Sequence, residues 1–168
     1  MNKRNKLPSL DFLNILFRVD IKRGLLIRKI TRAPNALKGD VVGTVDGKGY
    51  LHTNLLGTFY RIHRIIFFMH YGYEPIGIDH RDRNRQNNRP ENLRAANDHQ
   101  NAGNTANFAH NTSGVKGVSR HSRDRHLWVA QIKIHGKQTY IGRFKKQADA
   151  KAAYIKAAKK HFGEYHAA

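Results

Sequence analysis

Apolar residues recur along this chain at two periods, and the points where one period gives way to the other predict its elements. Leu10, Leu13, Leu16 and Phe17 fall at helical spacing and predict a short helix ending at Phe17, after which residues 24–30, rich in branched side chains, read as a strand. Asp46-Gly47 separates residues 41–45 from 49–56, and Gly57-Thr58 separates that run from 59–62, the pattern of a β-meander. Helical spacing returns in Ile62, Ile65, Ile66 and Met69, with Gly72 as the stop.

The pattern then breaks. Residues 76–78 make a short apolar lead into Asp79-His80, and 81–88 hold no strong core residue, so they form a loop. Residues 91–94 open a second short strand. Asn97 and Gln100 have the spacing of a capping box, which starts a helix with Asn101 at the next position. Residues 101–114 have a linker's composition. Three strands follow, at 117–120, 128–134 and 139–144. In the middle one Trp128, Ala130, Ile132 and Ile134 alternate with Val129, Gln131 and Lys133, and the first set is expected to face a helix. That helix is lysine-rich, covers 147–162, presents Ala148, Ala152, Ile155, Ala158 and Phe162, and stops at Gly163. The expected class is α+β, in three parts: a β-rich segment 1–60, which either completes the next part or extends a binding surface; a chemistry-bearing core, 61–109; and a three-stranded antiparallel sheet packed on one helix, 110–168.

Charge adds a partner. The 31 Lys and Arg outnumber 12 Asp and Glu for a formal net charge of +19, and the excess is +7 over residues 1–60, +2 over 61–109 and +10 over 110–168. Such a surplus points to a polyanion, with nucleic acid first. No apolar run approaches membrane length, no lipidation signature is present, and the basic start lacks a cleavage site, so neither membrane anchoring nor secretion is expected. With no cysteine, disulfides, thiol nucleophiles and Cys-based zinc sites are excluded. Any metal must be held by His, carboxylate, amide or water.

Alone, an Asp-His pair reads as a satisfied surface turn, and Asn in a basic loop as a cap or turn former. Here Asp79, His80, Asn92 and Asn101 fall on a strand, loop, strand and helix in register. The string Ile78-Asp-His-Arg-Asp-Arg-Asn-Arg-Gln-Asn-Asn-Arg-Pro-Glu-Asn-Leu-Arg94, followed by Gln100-Asn101, resembles the HNH nuclease family in its variant with a final asparagine. The segment Ile62-His-Arg-Ile65 is similar to one that precedes the motif in phage and intron-encoded members. The resemblance implies a ββα-metal fold and an endonuclease hydrolysing phosphodiester bonds with one divalent ion, Mg²⁺ or Mn²⁺. It implies His80 as general base, Asn92 as the residue tying the loop to His80, and Asp79 and Asn101 as oxygen ligands. Arg81, Arg83, Arg85, Arg89 and Arg94 ordinarily make a solvated face, but beside such a site some are expected to clamp phosphate. His63 reads as a structural or DNA-facing histidine rather than a ligand.

The tail resembles an AP2-type DNA-binding domain through Ser113-Gly-Val-Lys-Gly-Val-Ser119, Trp128-Val-Ala-Gln-Ile132, Tyr140-Ile-Gly-Arg-Phe144, the alanines at 148, 150 and 152, Ala153-Tyr154 and Phe162-Gly163. The resemblance implies a sheet lying in the major groove and nominates Lys116, Arg120, Gln131, Lys133, Gln138, Tyr140 and Arg143. Tyr140 fits groove contact or core packing equally, while Trp128, Ile132, Ile141, Phe144 and Ala152 read as core. The expected protein is a phage or homing-type endonuclease acting on double-stranded DNA, a monomer in the host cytoplasm, with no small-molecule cofactor. A catalytically inactive, transcription-factor-like DNA-binding protein is the alternative. RNA binding ranks last, since no RNA-recognition motif is present.

Overall fold

The structure is a computed structural model and describes residues 5–105 and 111–166. It is a mixed α+β fold of small antiparallel sheets, and the chain divides into two compact units, residues 1–95 and 96–168. Among the described residues no helix is long and apolar enough to cross a membrane.

In the first unit α1 (Leu10–Leu16) starts where the Ser9 side chain accepts the Phe12 N–H. Phe17 closes this helix, its N–H donating to the Leu13 carbonyl, and also begins strand β1 (Phe17–Asp20), which pairs antiparallel with β2 (Leu25–Arg28). The run 41–45 is two strands rather than one. Gly43, at φ +136°, breaks it, so β3 (Val41–Val42) joins β2 while β4 (Thr44–Val45) joins β5 (Leu51–Leu55). A two-residue turn with Leu56 at φ +52° and Gly57 at +79° leads into β6 (Thr58–Arg61), the hairpin geometry that matches strand twist.

Helix α2 (Ile62–Tyr71) follows directly and ends on left-handed Gly72, as its apolar spacing predicts. Its buried face is Ile62, Ile65, Ile66 and Phe67; Met69 is only partly buried. This face packs into one core with Leu7, Leu13, Leu16, Phe17, Leu26, Val42, Leu55 and Leu93. Full burial of one such side chain is worth about 1.5–3 kcal/mol, so most of the apolar support for α2 comes from residues 7–60.

The same segment also buttresses the loop after residue 80. Gly24, at φ +67°, lies so close to it that a Cβ would overlap the backbone of Asn88 and Arg89. Gly24→Ala is therefore expected to destabilise the protein by about 2–4 kcal/mol through left-handed strain and steric overlap. Urea unfolding checks this; a loss under about 0.5 kcal/mol would mean that the close approach is not obligatory.

In the second unit α3 (Asp98–Gly103) opens with the expected capping box between Asn97 and Gln100. Strands β9 (Val118–Arg120), β10 (Trp128–Ile134) and β11 (Lys137–Phe144) form an antiparallel sheet in the order β11-β10-β9, with α4 (Gln147–Phe162) packed on one face. The buried stripe of α4 is Ala150, Tyr154, Ala158 and Phe162, while Ala148 and Ala152 are exposed and Ile155 is half-buried. This corrects the face expected from spacing. Alanines surround the helix and fix no direction; Tyr154 does, because Gly117 lacks the Cβ that would overlap its ring. Part of the expected 101–114 linker is α3 itself, whose Gly103 lies against Phe162; residues 106–110 lie outside the described part.

Candidate active site and nucleic-acid surface

Strand β7 (Ile78–His80) pairs antiparallel with β8 (Leu93–Ala95), which sets Asp79 directly across from Arg94 and His80 across from Leu93. Glu91 and Asn92, the first half of the strand expected over 91–94, instead belong to a short 3₁₀ turn (Pro90–Asn92) before it, because Pro90 favours the first turn of a helix. The Tyr71 hydroxyl donates to the Pro90 carbonyl at 3.0 Å and ties this turn to α2.

The loop between the strands is closed by amides. Asn92 Oδ1 accepts the Asp82 N–H at 3.1 Å, while its Nδ2 donates to Asp82 Oδ1 at 2.9 Å and to the Asn87 carbonyl at 2.7 Å. Asp82 also accepts the Asn84 N–H and the Asn87 side-chain amide. Burial by itself would raise the Asp82 pKa, but the donations from Asn87, Asn84 and Asn92 outweigh it and hold the carboxyl below its usual range. Asp82 stays ionised and keeps the loop closed.

His80, 5% exposed, sits under this loop. Its Nε2–H donates to Oδ1 of Asn88 at 3.0 Å, and Asn88 is 1% exposed. In the neutral ring this bond leaves the basic lone pair on Nδ1. Burial pushes the His80 pKa below its ordinary value, against the raising effects of the Asn88 bond and of Asp82 and Asp79. The ring is neutral near pH 7 and able to take a proton. His63 meets it edge-on with ring centroids 5.1 Å apart, and Tyr50 completes the aromatic group at 5.3 Å from His63 and 6.1 Å from His80.

Thus Asn92 shapes the loop, while Asn88, which the sequence did not single out, tethers the imidazole. Asn88 is one of several amides in a polar loop, and only its burial distinguishes it. Arg94 turns inward: its Nε and Nη2 hold Asp79 Oδ2 at 2.8 and 2.7 Å, and both side chains are buried. Arg81, Arg83, Arg85 and Arg89 are exposed. Asn101 lies on α3 in the second unit, half-buried, with its N–H bonded to the Asn97 carbonyl.

Among the described residues no group of three or more His, Cys, Asp or Glu side chains converges as a metal site. The donors named from sequence are fewer, one carboxylate and one amide, and their chemistry fits a hard divalent ion that keeps several waters. Arg94 orients the Asp79 carboxylate as an outer-shell partner orients a ligand.

In the second unit the sheet face opposite α4 carries Ser119, Val129, Gln131, Lys133, Gln138, Tyr140 and Arg143. Strict alternation would put Tyr140 and Arg143 on opposite faces. A bulge at Ile141 brings them together, since Ala130 pairs with Gly142 but Gln131 with Tyr140. Tyr140 is 57% exposed, and Gln138 Nε2 donates to Gln131 Oε1 at 2.8 Å. A hollow on this face is lined by Ser119, Arg120, Gln131, Tyr140 and Arg143 among others. Arg120 lies over the Trp128 ring at 3.9 Å and donates to the Arg125 carbonyl. Lys116 is placed otherwise: its ammonium donates to the carbonyls of Ala102, Gly103 and Thr105 and caps the C-terminus of α3.

Comparison with curated proteins and with solved structures gave no match. A family model described as HNH endonuclease matches residues 60–102, the stretch holding α2, β7, the amide-closed loop and β8. That match supports an HNH nuclease character for the segment in which Asp79, His80, Asn92 and Asn101 stand.

Proposed function

We propose that the protein is a DNA endonuclease of phage or homing type that hydrolyses phosphodiester bonds with one divalent ion, Mg²⁺ or Mn²⁺, and is directed to its target by an AP2-like domain, residues 110–168. The observation that carries this reading is the buried, neutral His80, held through Nε2 by Asn88 and placed beside Asp79 in a segment of nuclease character. His80 accepts a proton at Nδ1 from the attacking water, the new P–O bond forms, and the bond to the 3′ oxygen breaks, leaving a 5′ phosphate and a 3′ hydroxyl protonated from solvent. Asp79 would offer the ion a carboxylate oxygen and Asn101 an amide oxygen. When bound, it supplies charge stabilisation at the departing oxygen. Asn92 keeps the loop over His80 closed. Gln131, Lys133, Gln138, Tyr140 and Arg143, with Arg120 at the sheet's edge, contact double-stranded DNA in the major groove. Gln and Arg there can read base edges.

A second reading, DNA binding without cutting, draws on the Arg94–Asp79 pair, in which the guanidinium already balances the charge of the carboxylate. Incubating plasmid carrying candidate sites with Mg²⁺ or Mn²⁺ separates the two: cutting is expected with either ion and is lost in EDTA. Replacing Gln131, Tyr140 and Arg143 together by Ala is expected to leave less selective cutting with a flatter salt dependence. Equal plasmid integrity with and without EDTA would sink the nuclease reading. Undiminished selectivity in that variant would sink the division of labour.

A further inference from the structure

We propose that Arg61, Tyr50 and Arg85 form a phosphate cradle beside His80, gripping the DNA strand at the phosphate next to the one attacked. Three separate pieces of chain converge there: the end of β6, the residue before β5, and the loop over His80. The guanidinium carbon of Arg61 lies 4.0 Å from the centroid of the Tyr50 ring and that of Arg85 lies 4.9 Å from it. Arg85 is further fixed by donating to the Lys48 carbonyl at 2.5 Å. Both cations are therefore placed before any ligand arrives, which reduces the rotamer entropy lost when a long side chain takes hold of an anion.

Two like charges share one half-buried ring, and neither forms an ion pair with a carboxylate among the described residues. The neighbouring carboxylate, Asp46, accepts the Lys48 and Tyr50 N–H groups and attracts the Arg61 guanidinium without forming an ion pair with it. A phosphate reaching these guanidiniums would offset the positive charge gathered around the ring and receive charge-assisted hydrogen bonds. Arg85 is exposed and Tyr50 and Arg61 are half-buried, so the cradle opens to solvent, while the Tyr50 ring stands 6.1 Å from that of His80. The ligand is a strand phosphodiester and not a base, since guanidiniums fixed on a ring beside the general base meet the backbone at the reacting bond. Grip at this point is sequence-independent. The location rests on the nuclease reading; the ligand chemistry rests on the two guanidiniums held over the Tyr50 ring.

The test uses the full chain in two backgrounds. In His80→Ala protein, which is expected to bind without cutting, duplex affinity is measured across a salt series. Arg61→Ala and Arg85→Ala should each lower the slope of log K against log salt by about one, on target and unrelated duplex alike. In the wild-type background Tyr50→Leu should keep that slope, since both charges remain, yet cut saturating DNA at least tenfold more slowly, and Tyr50→Phe, which keeps the ring, should recover most of that loss. An unchanged slope in the double arginine variant overturns the cradle, as does a wild-type cutting rate in Tyr50→Leu. Should Tyr50→Leu fail to fold, the exposed Arg85→Ala decides through its slope. If wild-type protein cuts nothing, the nuclease reading falls, and the salt slopes still decide whether the cradle holds phosphate.

Discussion

His80→Ala is expected to slow DNA cutting by about 10²–10⁴-fold, the range for loss of a general base, while leaving duplex binding near wild type. The expectation follows from a ring that is buried, neutral and held through Nε2 with its lone pair on Nδ1. The pH dependence has a definite sign. Burial disfavours the imidazolium, so the folded pKa lies below the ordinary value and the base form persists as pH falls through about 6.5. Inactivation by acid should set in below that value, read as the acid limb of kcat. A wild-type rate in His80→Ala, or an acid limb above pH 6.5, would remove His80 from the base role.

Arg94→Ala is expected to destabilise the protein by about 3–5 kcal/mol, because it leaves a buried carboxylate without its partner. Asp79 and Arg94 face each other across β7 and β8, and their two short hydrogen bonds lie out of solvent. Asp79→Asn combined with Arg94→Met should recover much of the loss, since no uncompensated charge remains. Denaturant unfolding of the three variants checks the sign and order. A clamp role for Arg94 would give the contrary result: normal stability and a salt slope of DNA binding lowered by about one.

What could be read from the residues depended on how locally each feature is decided. Helix α2 and the capping box of Asn97 and Gln100 were legible, because a helical period and a reciprocal cap are short-range facts. So was the order of strand and loop around Asp79 and His80. The tether of His80 was not: Asn87, Asn88 and Asn92 are chemically alike in sequence, and only folding sends Asn88 to the ring and Asn92 to Asp82. Lys116 counts as a surface cation until α3 supplies three carbonyls for it. The face of α4 was misread because alanine carries no directional signal, whereas the gap left by Gly117 does. The bulge at Ile141 has no sequence mark either, yet it decides that Tyr140 and Arg143 share a face.

The common core of α2 with residues 7–60 bears on portability. A helix of ten residues is marginal in water by itself, and this one would bare Ile62, Ile65, Ile66 and Phe67 if the preceding strands were removed. The stretch carrying the nuclease motif is thus no cassette for transplantation into another scaffold. A graft would have to begin upstream of Leu7 and bring Gly24 with it, since the recipient must supply both the apolar bed for the helix and the close backbone support under Asn88.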